Sequence, residues 1–377
     1  MKITCAKDQL NHAVQTVQKA VAAKATLPIL SGIYISAQNN KLELQATDYE
    51  IGISCAIDAQ IDIPGQIVLS GRYFQELVKR LPGDSVEIAS STEDRTIKIT
   101  AGTSQFNLLS LPAEEFPILK PLFDKSNNEN TLVIKDNLLR DLIKRTVFAC
   151  ATEESRPIFT GALLESTETD VRMIATNTHR LALKKSILET TNSSSNNPLK
   201  IVIPSKVLNE LARLLSSELP VDVNICWEKN RVAFRFEDVY LESRIIEGQY
   251  PDYNRVIPPQ FGTVASINTA LFMDAVERVS LMAKDGEYNV IKFQFNQDEV
   301  IITSNNPDIG KAYETVPVTT EGTEITIAFN AKYVTDILKN IGSTELHFSL
   351  NTPLSPASIK PVNDDNYTYI ITPVRTS

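Results

Sequence analysis

The sequence of 377 residues has few of the residues that build common catalytic and metal sites. It contains 13 glycines, four cysteines and three histidines. It carries neither a glycine-rich phosphate-binding signature nor a GxSxG nucleophile motif, and no two histidines stand at the spacing of a zinc site. These absences argue against a nucleotide-binding enzyme, an α/β-hydrolase and a zinc protein. We expect no cofactor, no metal and no catalytic residue.

Long apolar runs and paired cysteines are also missing. The four cysteines are widely scattered without a CxxC pair, which predicts buried, reduced thiols. A polar stretch follows the first five residues, so we find no signal peptide, and no segment approaches the ~20 apolar residues of a membrane helix. Composition is ordinary for a globular protein, with 42% hydrophobic and 22% charged residues. We therefore expect a soluble cytoplasmic protein.

What the sequence does contain is a helical pattern that occurs three times. Each stripe places its residues at i, i+3, i+4 and i+7, on one face of a helix. The first stripe is Leu10-Ala13-Val14-Val17, Leu139-Leu142-Ile143-Thr146 and Phe272-Ala275-Val276-Val279, and the second is Phe74-Leu77-Val78-Leu81, Leu208-Leu211-Ala212-Leu215 and Val334-Ile337-Leu338-Ile341. A period of roughly 130 residues has the size of a domain and predicts a triplicated domain.

Two further features recur with the stripes. A polar turn follows the first stripe at residues 46–49 and 175–178, and slightly earlier in the third copy, at residues 303–306. An aromatic–proline pair follows the second stripe at residues 116–117 and 250–251. No catalytic motif is repeated with these features, which suggests that the repeat provides a shape and not a reaction.

The segments between the helices are typical of strands. Apolar and polar residues alternate at 41–46, 97–100, 170–175, 232–236 and 292–295, as in strands with one buried face. Each copy therefore predicts two helices packed on an antiparallel sheet, an α+β fold. We place three domains at residues 1–125, 129–258 and 259–377, with linkers near 125–130 and 258–262 and a Ser/Asn-rich surface loop at 190–198.

The charge of the chain is unevenly distributed. The formal net charge is −9, yet the six predicted helices (7–20, 72–81, 136–148, 205–215, 270–284 and 331–340) sum to +6. Helices generally favour Lys and Arg, so this pattern alone leaves two interpretations open. The functional interpretation is a mildly basic helical surface within an acidic body.

Three segments stand out as candidate functional sites. They are residues 175–182, with a His-Arg pair after a strand; 248–258, with two tyrosines and three prolines; and 369–375, an apolar strand close to the end of the chain. Ordinary strand-capping and linker roles remain alternatives for the first two. A hydrolase using His179 with a carboxylate such as Asp252 is a second functional hypothesis, and a repeat scaffold that binds only proteins is a third.

Together with Thr26-Leu27-Pro28-Ile29-Leu30, these segments resemble the beta subunit of bacterial DNA polymerase III, the sliding-clamp family. The similar runs are Thr-His-Arg-Leu-Ala from Thr178, Glu-Gly-Gln-Tyr-Pro-Asp-Tyr from Glu247 and the terminal Thr-Pro-Val-Arg. The resemblance spans the whole chain. It implies a non-catalytic processivity factor: a homodimeric ring of six clamp domains, lined by twelve helices, that encircles duplex DNA without sequence specificity.

The resemblance also implies partners and site residues. The partners would be the polymerase alpha subunit, the clamp loader, and other polymerases and repair proteins that carry a short Gln/Leu/Phe segment, with no membrane association. The implied peptide pocket comprises Phe159, Thr176, Thr178, His179, Arg180, Leu181, Pro251, Arg255, Val256, Ile370, Thr372, Pro373, Val374 and Arg375. Many relatives have Gly at the position of Thr178 and Met at those of Thr372 and Val374, so the pocket floor here should be smaller or stiffer.

The resemblance also implies DNA-facing and dimer-interface residues. Lys24, Arg72 and Arg156 fall at DNA-facing positions, and helix direction adds Lys206 and Arg213. Pro157 and Ile158 stand where some relatives have aromatic residues. At the dimer interface, Phe106 and Leu108 of one subunit would meet Leu281 and Met282 of the other, head to tail.

Overall fold

The computed structural model describes residues 1–22, 27–90, 95–124, 130–153, 155–188, 198–215, 219–283 and 289–375. These residues form two compact units. Unit 1 contains the described parts of Met1–Asn137 and Glu210–Ile245, and unit 2 those of Leu138–Thr191, Pro198–Asn209 and Ile246–Ser377. Most of the predicted first linker and of the Ser/Asn-rich loop lies outside the described residues.

Six α-helices correspond to the six predicted stripes, which confirms that prediction. They are α1 Lys7–Val17, α2 Gly71–Arg80, α3 Asp136–Thr146, α4 Ser205–Leu214, α5 Thr269–Ser280 and α6 Ala331–Asn340. The stripe residues are buried, apart from Leu77 and Ala212, which are half-buried. Burial of one apolar face against a sheet explains why these segments are helical, since short helices owe their stability mainly to packing.

Side-chain caps fix the start of the two helices in the third repeat. The Asn268 side chain accepts a hydrogen bond from the backbone N–H of Leu271 at 3.1 Å, at the start of α5. The Asn330 side chain accepts one from Lys332 N–H at 2.9 Å, at the start of α6. Each cap satisfies a backbone donor that has no partner within its helix.

Twenty-five strands complete the described part of the chain. They are β1 Lys2–Ala6, β2 Gly32–Gln38, β3 Lys41–Thr47, β4 Ile51–Asp58, β5 Gln60–Ile63, β6 Gly65–Ser70, β7 Ser85–Ser90, β8 Thr96–Ala101, β9 Ser104–Leu109, β10 Thr131–Lys135, β11 Gly161–Ser166, β12 Asp170–Thr176, β13 Arg180–Ile187, β14 Lys200–Pro204, β15 Asp222–Trp227, β16 Arg231–Phe236, β17 Val239–Arg244, β18 Thr263–Asn268, β19 Val290–Phe295, β20 Glu299–Asn306, β21 Gly310–Glu321, β22 Ile325–Asn330, β23 Glu345–Leu350, β24 Ala357–Pro361 and β25 Tyr367–Ile371.

Two of the sheets in the described residues run from one repeat into the next. Unit 1 has a five-stranded sheet, β5-β1-β7-β8-β9, and an eight-stranded sheet, β10-β15-β16-β17-β4-β3-β2-β6. Unit 2 has one sheet of twelve strands, β14-β11-β12-β13-β25-β24-β23-β18-β21-β20-β19-β22. Strand β4 of the first repeat pairs antiparallel with β17 of the second, and β13 of the second pairs antiparallel with β25 of the third. Backbone hydrogen bonds thus bridge successive repeats within each unit.

The sequence predicted the strands well and one turn wrongly. All five alternating segments lie in strands, at β3, β8, β12, β16 and β19. Residues 303–306 were expected to form a polar turn, but they lie in β20, whose pairing with β21 continues to Asn306 opposite Gly310. The turn comes after them because this hairpin is longer than its counterparts in the other repeats.

The prediction of buried, reduced cysteines is confirmed. Cys5, Cys55, Cys150 and Cys226 are buried and form no disulfide, as expected. None of the helices in the described ranges has the length and apolar character that crossing a membrane requires.

Candidate functional site

A tight polar turn joins β12 to β13 and is held by its own side chains. The Thr176 hydroxyl donates to the carbonyl of Arg180 at 2.7 Å and accepts from Thr178 N–H at 3.1 Å. The Asn177 side-chain oxygen accepts from the N–H groups of His179 and Arg180, both at 3.1 Å. These bonds hold Thr178 at a φ of 78°, in the left-handed region that non-glycine residues rarely adopt.

The strand near the end of the chain lies beside this turn. In the β13–β25 ladder, Arg180 is opposite Ile371 and Leu181 is opposite Ile370. The ladder continues one step further, because Thr372 N–H donates to the carbonyl of His179 at 2.9 Å. The turn and the C-terminal strand therefore form one surface in unit 2.

The segment after the aromatic–proline pair forms the opposite wall. The Tyr250 hydroxyl donates to the carbonyl of Ile174 at 3.3 Å, and the Tyr253 hydroxyl donates to Glu165. Burial, reinforced by the neighbouring Glu165 carboxylate, raises the pKa of Tyr253 to about 12. Asp252 begins the short 3₁₀ turn Tyr253–Val256 by accepting from Asn254 N–H at 3.2 Å. That bond is the main reason why the pKa of Asp252 is lowered.

These parts enclose a cavity of about 550 Å³ in unit 2, a size suited to a small ligand or a few side chains. Ten of the fourteen predicted pocket residues line it: Phe159, Thr176, Thr178, Arg180, Leu181, Pro251, Arg255, Val256, Ile370 and Thr372. Leu181 and Ile370 come from neighbouring strands and give it an apolar floor. The structure therefore brings most of the predicted set together, while its role in peptide binding stays a prediction.

Seven lining residues were not in the predicted set: Tyr250, Asp252, Tyr253, Ile257, Pro258, Pro259 and Pro356. Five of them lie in the proline- and tyrosine-rich stretch 248–258 that the sequence singles out, and Pro259 follows directly in the predicted linker 258–262. Extending the pocket prediction along these two segments finds all six. Pro356 gave no sequence signal. It reaches the cavity because β24, which follows it, pairs with β25.

Four predicted residues lie beside the cavity and do not line it. The exposed His179 ring stacks on Tyr333 of α6, with ring centroids 6.4 Å apart and planes 18° apart. Val374 N–H donates to the carbonyl of Ala328 at 2.8 Å, which ties the segment containing Pro373 and Arg375 to β22. All four are next to lining residues in the sequence or follow them directly, since His179 precedes Arg180 and residues 373–375 follow Thr372.

Arg180 has a structural task in addition to lining the cavity. Its guanidinium is buried, pairs with Asp336 at 2.6 Å and donates to the carbonyl of Phe148 at 2.5 Å. It also lies over the ring of Tyr333, 4.5 Å from the centroid. These contacts anchor the turn to α6. Removing one member of the buried ion pair would leave an uncompensated charge, which is costly.

The geometry does not favour the hydrolase hypothesis. In the described residues, no hydrogen bond or ion pair joins His179 to Asp252. The His179 ring stacks on Tyr333, and the Asp252 carboxylate accepts from Asn254 and from Arg255 Nε at 3.1 Å. A histidine base needs an orienting partner within hydrogen-bond reach, and neither contact provides one.

Four of the five predicted DNA-facing cations are described, and these four lie on the surface of their units. Arg72 on α2 and Arg213 on α4 are exposed, and Arg213 pairs with Glu210. Arg156 and Lys206 are exposed as well. Lys24 lies outside the described residues. With the observed bounds the six helices carry a net formal charge of +4, against −9 for the chain.

The predicted dimer-interface residues lie at two exposed apolar places. Phe106 is 40% exposed and Leu108 is half-buried on β9, the edge strand of the five-stranded sheet. Leu281 is 51% exposed and Met282 is half-buried, directly after α5. An unpaired apolar edge strand is a preferred place for association with another chain.

Comparisons with known proteins agree with this architecture. Models of the N-terminal, central and C-terminal domains of the DNA polymerase III beta subunit match residues 1–120, 133–252 and 254–375. Beta sliding clamps of Bacillus subtilis and Staphylococcus aureus are 37% and 34% identical, with both chains covered completely. Among solved structures, the sliding clamp of Bacillus subtilis (TM-score 0.93, 35% identity) and the beta subunit of Streptococcus pyogenes (0.93, 28%) are similar over 100% of each chain. The chain therefore belongs to the DNA polymerase III beta-subunit family, the beta sliding clamps, and contains its three clamp domains.

Proposed function

We propose that the protein is a cytoplasmic, homodimeric ring that encircles duplex DNA and tethers the replicative polymerase to its template, without catalysing a reaction. Membership of the sliding-clamp family supports a role as a DNA polymerase processivity factor. In this proposal three clamp domains, at residues 1–125, 129–258 and 259–377, come from each of two chains. Enclosure keeps the ring on DNA, so retention does not depend on tight contacts.

The cavity in unit 2 is the observation that carries the tethering part of the proposal. Its apolar floor, Leu181 and Ile370, lies between a rigid polar turn and a wall of prolines and tyrosines. Such a shape suits the apolar anchors of a short Gln/Leu/Phe segment, with few polar groups to fix its direction. Segments of this kind would come from the polymerase alpha subunit, the clamp loader, other polymerases and repair proteins.

The helices support the DNA part of the proposal. They are mildly basic while the chain as a whole is acidic, which gives weak, sequence-independent attraction to phosphates. We assign Arg72, Arg156, Lys206 and Arg213, with Lys24, to this contact. Four of them are exposed in the described residues, as contact with DNA requires.

Retention on DNA of different topology tests the clamp proposal. After loading onto nicked circular DNA, we expect a long dissociation half-life that collapses once the circle is linearised. Linearisation changes no local contact, so only an enclosing protein responds to it. Equal half-lives on both forms would favour an ordinary DNA-binding protein or a protein-only scaffold.

A deletion tests the cavity separately. Removing Val374 to Ser377 takes away the bond from Val374 to Ala328, which holds the segment that follows the lining residue Thr372. We expect binding of a fluorescent Gln/Leu/Phe peptide to be abolished, whereas sedimentation still shows the dimer. Val256→Glu, which places a charge in the cavity lining, is the matched variant. Loss of the dimer on deletion would contradict the assignment of this segment to the pocket.

A further inference from the structure

Unit 1 contains a second copy of the polar turn, bond for bond. The Thr47 hydroxyl donates to the carbonyl of Ile51 at 2.9 Å and accepts from Tyr49 N–H at 3.0 Å. The Asp48 carboxylate accepts from the N–H groups of Glu50 and Ile51 at 3.0 and 2.9 Å. Tyr49 has a φ of 73°, close to the 78° of Thr178. Thr47, Tyr49 and Ile51 thus correspond to Thr176, Thr178 and Arg180.

The surroundings of the two turns correspond as well. Arg244 N–H donates to the carbonyl of Glu50 at 3.0 Å, as Thr372 N–H does to that of His179 at 2.9 Å. In the β4–β17 ladder Gly52 is opposite Glu242, in the place of Leu181 opposite Ile370. The segment after the Phe116–Pro117 pair forms the outer wall.

The lining of this cavity differs in chemistry. The apolar floor of unit 2 is replaced by Gly52 and Glu242, and Leu119 lies so close that a Cβ on Gly52 would be 2.6 Å from its Cδ2. The remaining cavity has a volume of about 280 Å³, roughly half that of unit 2. Two apolar side chains in its lining are half exposed, Tyr49 at 50% and Ile118 at 49%.

Cations in the lining have unused hydrogen-bonding capacity. Arg231 pairs with Glu242 at 3.6 Å and with Glu228 at 3.7 Å, both longer than an N–H···O hydrogen bond. Glu242 instead accepts from the Tyr240 hydroxyl at 2.6 Å. Arg244 and Lys120, which also line the cavity, are exposed. A guanidinium has five donors, and a ligand carboxylate can accept two of them side by side.

We propose that this cavity, formed by the turn 47–51, the segment 117–120 and the strands β16 and β17, binds a short acidic peptide segment of a partner protein. A carboxylate of the segment binds Arg231 and Arg244, and the adjacent apolar side chain lies against Tyr49 and Ile118. The site is separate from the apolar cavity of unit 2 and selects a different sequence. It goes beyond the proposed tethering of Gln/Leu/Phe segments.

Methyl NMR on protein with labelled isoleucines tests this site with the peptide acetyl-Gly-Asp-Leu-Gly-amide. We expect saturable shifts of the Ile51 and Ile118 methyl signals, with Ile370 and Ile371 unaffected. The matched Asn peptide should bind about tenfold more weakly or worse, because it lacks the charge that strengthens bonds to a guanidinium. Shifts confined to Ile370, or equal affinity for both peptides, would overturn the proposal.

Variants separate this site from the unit 2 cavity. Arg244→Glu, at an exposed position where folding is not at stake, and Arg231→Met should each weaken the Asp peptide about tenfold while a Gln/Leu/Phe peptide still binds. Val256→Glu should weaken binding of the Gln/Leu/Phe peptide while the Asp peptide still binds. Sodium acetate tests whether a free anion alone occupies the site. If acetate and the Asp peptide gave equal methyl shifts at equal concentration, a peptide would be refuted as the occupant. Unchanged Asp-peptide affinity in Arg244→Glu and Arg231→Met would refute the assigned residues.

Discussion

At the residue scale, the turn 176–180 shows that local hydrogen bonds can impose a conformation that the residue itself disfavours. Thr178 is β-branched and has a φ of 78°, a region in which such residues are strained by about 1–3 kcal/mol. The Thr176 hydroxyl and the Asn177 carboxamide hold it there with four hydrogen bonds. The strain is therefore balanced within the turn.

We predict that Thr178→Gly raises the free energy of unfolding by about 1 kcal/mol. Glycine adopts positive φ without a Cβ clash, and the gain exceeds the entropy that glycine adds to the unfolded chain, about 0.5–1 kcal/mol. Urea unfolding measures the change. Thr176→Val is the matched control and should lower stability by about 1–2 kcal/mol, because it removes the hydroxyl that holds the turn. A Thr178→Gly protein less stable than the parent would show that the turn carries no strain.

A second residue-scale prediction concerns acid stability. Asp170 is buried at the start of β12, and although burial by itself would raise its pKa, hydrogen bonds from Arg172 and Lys185 lower that pKa below its ordinary value. A lowered pKa stabilises the folded state above the unfolded pKa of about 3.9, and this stabilisation is lost as the pH falls through the folded pKa.

Asp170→Asn should therefore lower the Tm at pH 7 and have a diminishing effect as the pH falls below about 4. Thermal unfolding of both proteins across this range gives the measurement. Asp252→Asn, at an exposed carboxylate, should change the Tm little at any pH. A Tm difference for Asp170→Asn that stayed constant down to pH 2.5 would contradict the role assigned to the ionised carboxylate.

At the element scale, two exposed apolar places indicate a surface that another chain would cover. Strand β9 ends the five-stranded sheet of unit 1 with Phe106 and Leu109 exposed, and Leu281 is exposed after α5 in unit 2. Head-to-tail pairing of two chains would cover both places. The partly apolar edge would then be protected from non-specific association.

We predict that Leu281→Ala combined with Met282→Ala converts the dimer to monomers. The double change removes apolar area at the proposed interface while α5, whose buried face is formed by Phe272, Val276 and Val279, keeps its packing. Sedimentation at micromolar concentration gives the mass. Leu354→Ala, at an exposed leucine between β23 and β24, is a control that should remain dimeric. An unchanged dimer in the double variant would place the interface elsewhere.

The elements differ in how far the sequence predicts them. Helix α6 was predicted with the observed bounds. Such helices can be read from the sequence because the residues that are buried on one face recur every third or fourth position and must be apolar. The cavity was predicted only in part, because Pro356 lines it without having been predicted and Val374 was predicted but does not line it. Both residues owe their positions to long-range pairing, of β24 with β25 and of the tail with β22. Such pairings join residues far apart in sequence, and local periodicity does not record them. The resemblance to a family supplied most of the cavity residues.

At the scale of the whole molecule, charge and topology would make separate contributions to the proposed binding of DNA. The helices carry +4 while the chain carries −9, so attraction to phosphates is weak and salt-sensitive. Closure of the proposed ring would have no such dependence as long as its two chains stay joined. The two contributions can therefore be distinguished by their response to salt.

We predict that the half-life on nicked circular DNA changes by less than about threefold between ~50 and ~200 mM salt, whereas binding to short linear duplex falls about tenfold or more. Gel filtration of the loaded circle and fluorescence anisotropy of the duplex give the two measurements. Arg72→Ala with Arg156→Ala should weaken duplex binding and reduce its salt dependence. An equally steep loss on the closed circle would mean that contacts, and not enclosure, hold the protein.

The pairing of β4 with β17 also bears on how the chain can be cut into fragments. A piece ending at residue 120, where the match to the N-terminal domain ends, would lack β17 and expose the backbone of Ile51–Cys55 along one side of β4. Unpaired edge strands of that kind readily pair with other chains and lead to aggregation. Isolated single repeats should consequently precipitate or self-associate, and truncations that retain both partners of each bridging ladder are better suited to dissecting this protein.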